Sequence, residues 1–325
     1  MSDVAGGPVP ARDAVPEPAA GRPAAAGALD DDALDDGADW AARVGDAVAA
    51  TDAGQLDLSG IVIDTSVPHP ARRYDYLLGG KTNYAPDRAS ADAATAAFPA
   101  LRTTILENRR FLRRAVTYMA RDDGVDQFLD IGTGIPSPGN THEVSQAINP
   151  ASRVVYVDND PVVLVHSRAL LSDTPQGRTA FIPADLRDPE TILSHPALAA
   201  TLDLSRPVGL LLIAVVHFIE DDDEANGVVR RLVEALPSGS YLALSNATYD
   251  VLPPEVAARL TEAMTADRPS AAWARTRPQV ERFFDGLELV PPGVVTLNRW
   301  RADDEPPPRP RDDETVVYGG LARIP

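Results

Sequence analysis

The residues best able to do chemistry lie between Asp126 and Glu143, in the segment DQFLDIGTGIPSPGNTHE. An apolar run before the glycines predicts a buried strand, and Gly132-Thr133-Gly134 predicts a tight turn. Asn140 precedes Glu143 by three positions, as in a capping box, so we expect a helix to begin at Thr141. A strand, a glycine turn and a helix N-terminus together form a corner where a ligand can approach the backbone.

Asp130 indicates which ligand this corner binds. It lies two residues before the first glycine, where a carboxylate would repel a pyrophosphate. S-adenosylmethionine carries a cationic amino group and a sulfonium, which a carboxylate attracts. The third glycine of the dinucleotide-binding pattern is missing, with Ser137 in its place. We therefore predict that Asp130 and the turn Gly132, Thr133 and Gly134 bind S-adenosylmethionine, and a nicotinamide dehydrogenase is the disfavoured alternative.

From residue 125 onward, apolar strands alternate with helices. The predicted strands cover residues 127–131, 153–157, 180–183, 208–216, 241–245, 288–300 and 315–324. Near-continuous apolar strands between helices indicate an α/β fold with a mostly parallel, seven-stranded sheet covered on both faces. The last two strands are expected to close the sheet as a hairpin.

Acidic and polar residues follow the predicted strands where an open parallel sheet binds its ligands, beyond the carboxyl ends. Asp158, followed by Asn159, ends the second strand and is expected to accept hydrogen bonds from ribose hydroxyls. Asp185 follows the third strand and could accept a bond from the adenine amino group, while Leu186 packs on the ring. Ala214, near the end of the fourth strand, is expected beside the reacting end of the cofactor.

Two further aspartates have a simpler explanation. Asp160 and Asp188 each precede a proline at a first helical position, so we expect both to cap helices.

The segment Ile61–Arg88 concentrates tyrosines, arginines and the single lysine of the chain around Gly79-Gly80. Such a segment is typical of a loop that folds over a ligand, and the alternative is an arm that packs its tyrosines on the domain surface. Tyr74, Tyr76 and Tyr84 are candidates for an aromatic wall around the sulfonium, and a catalytic role is also considered for Tyr84. Four residues of the segment are expected at the cofactor or the reacting atoms. They are Tyr76, Lys81, Asn83 and Tyr84.

Residues 89–121 are predicted to be helical, with one apolar stripe that includes Leu101, Ile105 and Leu112. Pro99 fits the first turn of the longer helix. The arginines of this segment lie mostly off the stripe and are expected to be solvated; they are Arg109, Arg110, Arg113 and Arg114.

His217 is the candidate general base, because it follows the fourth strand near the expected reacting end. A base is needed only if the acceptor must lose a proton. The alternative is a hydrogen-bonded histidine with a structural role.

Composition limits the partners. The formal net charge of −18 over 325 residues argues against binding to nucleic-acid backbones. Cysteines are absent, which excludes disulfides and thiolate metal sites, and no histidine spacing implies a metal. The longest apolar run, Gly209–Ile219, is too short to span a bilayer, and no export signal is evident. We expect a cytoplasmic protein that acts on a small molecule, with no membrane partner; the sequence leaves its oligomeric state open.

Several segments of the chain together resemble the bacterial S-adenosyl methyltransferase family, long catalogued as a domain of unknown function. They are DTSVPHPARRYDYLLGGKTNYAPDR, FLDIGTGIPSPGNTHEV, VVYVDNDPVVL, ADLRDPE, LLIAVVHFIEDDD, GSYLALSNAT and LELVPPGVV. The resemblance implies a Rossmann-like class I methyltransferase that uses S-adenosylmethionine, releases S-adenosylhomocysteine and has an N-terminal helical cap. Its acceptor is unidentified, and a non-catalytic sensor of the same ligand is the alternative.

Three regions are therefore expected. Residues 1–57 form an acidic, alanine- and proline-rich tail that buries too little apolar surface to fold. Residues 58–121 form a helical cap, and residues 122–325 form the Rossmann-like domain.

Overall fold

The structure is a computed structural model that describes residues 63–170, 177–266, 270–303 and 305–325; within the helix that ends at residue 170, side chains are described up to residue 166. The expected acidic tail, residues 1–57, and residues 58–62 of the expected cap lie outside the described residues. The three-region division stays a prediction.

A single mixed sheet organises the described residues. Its order is β3-β2-β1-β4-β5-β8-β6, with β7 also paired to β8. Strands β1 to β5 run parallel to one another, and β8 is antiparallel to β5, β6 and β7. The strands are β1 (Gln127–Ile131), β2 (Arg153–Asp158), β3 (Arg178–Pro183), β4 (Gly209–Ile213), β5 (Tyr241–Ala247), β6 (Glu288–Leu289), β7 (Val295–Thr296) and β8 (Val317–Arg323).

The α/β fold class is confirmed, but the strand count differs. The predicted strand over residues 288–300 is divided into β6 and β7, which pair with the two ends of β8, so the sheet has eight strands. Pro291 and Pro292 lie between the two pieces, and proline has no N–H to donate to a ladder. The fourth strand is also shorter than predicted: it ends at Ile213, and Val216–Phe218 is a 3₁₀ helix.

Ten α-helices occur among the described residues. They are α1 (Pro70–Leu77), α2 (Ala85–Ala97), α3 (Leu101–Thr117), α4 (Thr141–Ile148), α5 (Pro161–Leu170), α6 (Pro189–Ser194), α7 (Pro196–Thr201), α8 (Asp222–Glu234), α9 (Pro254–Thr265) and α10 (Arg277–Glu281). A π-helical turn, Tyr118–Asp122, continues α3, and Pro99 precedes that helix instead of lying in its first turn. No helix in these ranges combines the length and apolar character needed to cross a membrane.

Successive side chains along the strands pack alternately into two apolar layers, one on each face of the sheet. Leu129 of β1 belongs to the layer that contains α8 residues, whereas Phe128 belongs to the layer that contains α3 residues. In the second layer, Phe111 of α3 meets Trp300 edge to face, with ring centroids 5.1 Å apart and both side chains fully buried. Burying one such ring contributes about 1.5–3 kcal/mol, so this contact holds α3 firmly against the sheet.

The prediction that the arginines of α3 are solvated is wrong for Arg109 and Arg114. Arg109 is buried. Arg114 donates to Glu305 Oε1 at 2.8 Å and to the carbonyl oxygen of Leu297 at 2.7 Å. Both arginines therefore tie α3 to segments that are distant in the chain.

Candidate functional site

A cavity of about 220 Å³ follows the carboxyl edge of the sheet. It touches the ends of β3, β2, β1, β4 and β5, and then the start of β8, which lies at the same edge because β8 is antiparallel. Residues of α1, α2, α3 and α9 cover it, and we call α1, α2 and α3 the cap. We call the part over β1, β2 and β3 the acidic half, and the part over β4, β5 and β8 the apolar half.

The glycine turn closes the end of β1 tightly. The N–H groups of Gly132 and Thr133 donate to the carbonyl oxygen of Val157, at 2.8 and 3.2 Å. Gly132 has φ +76°, and a Cβ at this position would overlap the side chain of Val215. Glycine is therefore required both by the backbone conformation and by the close approach of the loop after β4.

Asp130 lies in the acidic half with its carboxylate buried. Its Oδ2 accepts a hydrogen bond from Thr141 Oγ1 at 2.6 Å. Burial raises the pKa of Asp130 to about 6, because the charged form loses its hydration. As predicted, α4 begins at Thr141, and Asn140 and Glu143 form its capping box. The helix thus positions the hydroxyl that orients the carboxylate.

Asp158 lines the same half and also braces the turn. Its Oδ2 accepts the N–H of Gly134 at 2.8 Å, and its Oδ1 accepts the N–H of Asp160 at 2.9 Å. Burial raises the pKa of Asp158 above the usual value for an aspartate. Each carboxylate oxygen has a second lone pair, so these contacts leave acceptor capacity for a ligand hydroxyl.

The two capping predictions are confirmed. Asp160 Oδ1 accepts the N–H of Val162 in the first turn of α5 at 3.0 Å. Asp188 accepts the N–H of Thr191 and caps α6. Asp160 has a second role, because its Oδ2 accepts a bond from Arg72 Nε of α1 at 3.1 Å and so docks the cap.

The residues predicted at the third strand end also meet in the acidic half. Asn159 Nδ2 donates to Asp185 Oδ2 at 2.9 Å, and the N–H of Arg187 donates to Asp185 Oδ1 at 2.8 Å. Leu186 is buried and lines the cavity beside them. These residues form a polar rim with an apolar floor, which suits a purine ring with an exocyclic amino group.

A hydrogen-bond relay joins the cap to the sheet beneath the cavity. The N–H of Ala214, which has φ +55°, donates to Ser245 Oγ at 2.9 Å. Ser245 Oγ donates to Asn108 Oδ1 at 2.7 Å, and Asn108 Nδ2 donates to the Tyr74 hydroxyl at 3.0 Å. The Tyr74 hydroxyl donates to the carbonyl oxygen of Ile105 at 3.2 Å. This relay positions Tyr74 on the cavity wall.

His217 lines the apolar half from the 3₁₀ helix after β4. Its Nδ1 accepts the N–H of Ala247 at 3.3 Å, so the proton of a neutral ring lies on Nε2. Burial, together with the charges of Arg275 and Arg73, lowers the pKa of His217 to about 3. The ring is therefore neutral at physiological pH and presents a donor, which favours a role in orienting a ligand over a role as general base.

Four residues that the sequence placed at the cofactor are not among those that line the cavity: Tyr76, Lys81, Asn83 and Tyr84. The Tyr76 hydroxyl donates to Asp92 Oδ1 at 3.0 Å on an exposed surface. Asn83 Nδ2 instead donates to the carbonyl oxygen of Gly80 at 2.9 Å within its own loop. Tyr74 of the same segment, the other candidate for the aromatic wall, does line the cavity.

Sequence reasoning missed several residues that line the cavity, among them His69, Arg73, Asn108, Arg109 and Tyr249. Arg109 Nη2 donates to the carbonyl oxygen of Pro138 at 3.1 Å and to Asn140 Oδ1 at 3.3 Å, which holds the loop before α4. A signal was available, because Arg109 follows Ile105 by four positions and so continues the apolar stripe of α3.

No group of three or more potential metal ligands occurs within the described parts of the chain. The carboxylates of the acidic half are separated by backbone donors and fit an organic cation with hydroxyl groups.

Comparisons with known proteins agree with this geometry. A family model described as S-adenosyl methyltransferase matches residues 59–325. The crystal structure of a DUF574 family protein from Streptomyces avermitilis MA-4680 is similar, with 48% identity and a TM-score of 0.76, over 81% of this chain and 100% of that chain. A candidate methyltransferase from Thermobifida fusca YX has 42% identity and a TM-score of 0.73, over 80% of this chain and 96% of that chain. No curated protein matches the sequence.

Proposed function

Because the chain belongs to the S-adenosyl methyltransferase family, we propose that it transfers the methyl group of S-adenosylmethionine to a small molecule bound in the apolar half of the cavity. S-adenosylmethionine is the cofactor of the family, and S-adenosylhomocysteine is the product that remains after transfer. The assignment of side chains to cofactor and acceptor is part of the proposal.

The observation that carries the proposal is the continuity of the cavity. One free volume runs from three buried or half-buried acids over β1, β2 and β3 to an apolar chamber over β4, β5 and β8. A methyl donor and its acceptor must lie in one enclosed space, because transfer requires the nucleophile in line with the breaking bond.

The chemistry of the acidic half fits the cofactor. Asp130 faces the cationic amino group, Asp158 accepts from the ribose, and Asp185 with Asn159 and Leu186 holds the adenine. The glycine turn leaves room for the ligand beside the backbone. When bound there, the cofactor supplies a methyl group that its sulfonium has already activated.

The residues of the apolar half then need to bind and orient the acceptor and to exclude water. Helices α1 to α3 and α9 cover this half. Tyr74 is held by the relay through Asn108, and His217 offers a hydrogen bond from Nε2. Positioning of this kind supplies several kcal/mol of the barrier reduction in transfer reactions.

Calorimetry followed by turnover tests the proposal. We expect S-adenosylhomocysteine to bind the purified full chain, and NAD to bind at least about a hundredfold more weakly because Asp130 repels its pyrophosphate. With S-adenosylmethionine labelled on the methyl group and a bacterial metabolite extract, label should appear in a small molecule as S-adenosylhomocysteine accumulates.

Two results would contradict the proposal in different ways. Failure to bind S-adenosylhomocysteine would reject the cofactor assignment. Binding without any labelled product across extracts from varied growth conditions would favour a sensor over an enzyme.

A further inference from the structure

The apolar half of the cavity has a composition that restricts its ligand. Aliphatic side chains dominate its wall and come from α1, α3 and α9; they include Leu77, Leu101, Ile105, Leu112, Leu260 and Met264. Among the described residues that line this half, none is an aspartate or a glutamate, since the lining acids all belong to the acidic half. A cationic amine would therefore find no carboxylate there to pair with its charge or to accept its proton.

Positive charge and hydrogen-bond donors face the same space. Arg73 of α1 is buried, with Nη1 donating to Ser90 Oγ at 3.2 Å and Nη2 to the carbonyl oxygen of Ser270. Burial lowers the pKa of His217 and raises the pKa of Tyr249, and the positive charge of Arg73 acts on both groups to lower their pKa. All three side chains line the cavity.

Two of these groups keep a donor for a ligand. His217 accepts at Nδ1 from the N–H of Ala247, which leaves the proton on Nε2. The Tyr249 hydroxyl makes no hydrogen bond within the part of the chain that the structure describes. Donors on an apolar wall beside a buried guanidinium form a site for an anionic oxygen.

We propose, building on the methyltransferase function above, that the acceptor is an apolar acid, which binds as a carboxylate or phenolate and is methylated on that oxygen. Arg73, His217 and Tyr249 recognise the oxygen, and the aliphatic wall binds the rest of the molecule. The chamber thus selects against amines and against molecules rich in polar groups.

The transfer balances without a general base. The acceptor loses its proton to solvent before it binds, because the site favours the anion. A lone pair of the anionic oxygen forms the new C–O bond while the C–S bond breaks, and the bonding pair stays on sulfur. One anion and one sulfonium give a neutral methyl ester or ether and a neutral thioether, so charge is lost inside an apolar chamber, where this is favourable.

The proposal can be tested with probes that share a naphthalene ring and differ in their polar group. Their affinities are measured on the chain saturated with S-adenosylhomocysteine. The probes are 2-naphthoate, 1-nitro-2-naphtholate, 2-naphthalenemethanol and 2-naphthylmethylammonium. We expect at least one anion to bind about tenfold or more tightly than the ammonium, as charge-assisted hydrogen bonds require. The two anions separate a carboxylate site from a phenolate site.

Substitutions of Arg73 then test whether this residue binds the anionic oxygen. Arg73→Gln should weaken the anion that binds by about tenfold, while Arg73→Lys should retain most of the affinity because it keeps the charge. Both should bind S-adenosylhomocysteine as the unmodified chain does. Arg259→Gln is the matched control, since Arg259 is exposed on α9 and does not line the cavity.

The outcomes separate this proposal from the one it rests on. Loss of S-adenosylhomocysteine binding in the unmodified chain would reject the methyltransferase function itself. If that ligand binds but the ammonium or the alcohol binds as tightly as the tighter of the two anions, or none of the four probes binds, the acidic acceptor is rejected and the methyltransferase function stands. The probe series on the unmodified chain decides this even if Arg73→Gln does not fold.

Discussion

Asp130 lines the cavity with its carboxylate buried, and burial makes the negatively charged form of this carboxylate less favourable. The pKa of Asp130 is raised to about 6 from an ordinary value of 3.8, so the folded state holds this proton more tightly than the unfolded state does. Stability contributed by the protonated form is present at low pH and is lost as the pH rises from about 4 through 6. At neutral pH the protein therefore carries a buried charge that lowers its stability.

Replacement of Asp130 by asparagine should therefore change stability and binding in opposite directions. Asp130→Asn keeps an acceptor for Thr141 Oγ1 and removes the buried charge, so the free energy of unfolding at pH 7.5 should rise by about 1–3 kcal/mol. Affinity for S-adenosylhomocysteine should fall about tenfold or more, because the amino group loses its counter-charge. Urea unfolding and calorimetry measure the two effects.

The pH dependence provides the control for this experiment. The stability gain of Asp130→Asn should shrink between pH 7.5 and pH 4.5, since the native carboxyl is then protonated in the unmodified chain as well. Asp223→Asn, on the exposed first turn of α8, should show neither effect. If the increase in the free energy of unfolding were the same at both pH values, burial would not be raising the pKa of Asp130.

At the scale of elements, the cap depends on a few polar contacts that cross from α1 and α3 to the sheet. Asn108 is the central member, because it accepts from Ser245 Oγ of β5 and donates to the Tyr74 hydroxyl of α1. Arg72 of α1 binds Asp160 at the start of α5. These contacts decide the orientation of helices whose apolar packing alone would tolerate some sliding.

Asn108→Ala should therefore lower the free energy of unfolding by about 1–3 kcal/mol, since the hydroxyls of Ser245 and Tyr74 each lose one hydrogen bond inside the fold. Affinity for the acceptor should fall more than affinity for S-adenosylhomocysteine, because Tyr74 borders the apolar half. Thermal unfolding and calorimetry measure these changes. Asn226→Ala on α8 is the matched control, because it removes a bond to the carbonyl oxygen of Asp222 and Asn226 does not line the cavity.

Equal losses in both Asn108→Ala and Asn226→Ala would show that the relay has no special role. If Asn108→Ala weakened binding of the cofactor but not of the acceptor, Tyr74 would border the acidic half and not the apolar half.

At the scale of the whole molecule, the cavity lies along one edge of the sheet. The opposite edge is built differently: Gln127 at the start of β1 exchanges hydrogen bonds with Asp203, and Arg153 at the start of β2 donates to the carbonyl oxygen of Thr201. This edge anchors strands and does not line the cavity.

Amide hydrogen exchange should distinguish the two edges of the sheet. When S-adenosylhomocysteine binds, amide exchange should slow in α1, α3 and the turn at residues 132–134, because opening of the cap would expose the ligand. The segment 196–206 at the opposite edge should change little under conditions where exchange occurs by local opening. Equal protection of both edges would indicate that the ligand stabilises the fold globally without holding the cap.

Much of the fold was predictable from local patterns. The helix start at Thr141 and the strand from Gln127 to Ile131 were predicted as they occur. Both follow from signals within a few residues, namely a capping box and an apolar run. The division of the predicted strand over residues 288–300 was missed because pairing around Pro291 depends on the partner β8 as well as on the segment itself.

The sequence by itself determined the acidic half of the cavity, since parallel strands bring the residues after their carboxyl ends to one edge. Asp130, Asp158 and Asp185 could be assigned there without any tertiary information. Only the tertiary structure decided the apolar half, because it is built from helix faces. Tyr74 and Arg109 turn inward and Tyr76 and Lys81 do not, and the choice depends on how α1 and α3 dock on the sheet. Periodicity orders the residues of one helix around its axis, but the packing of several elements selects the face that meets the ligand.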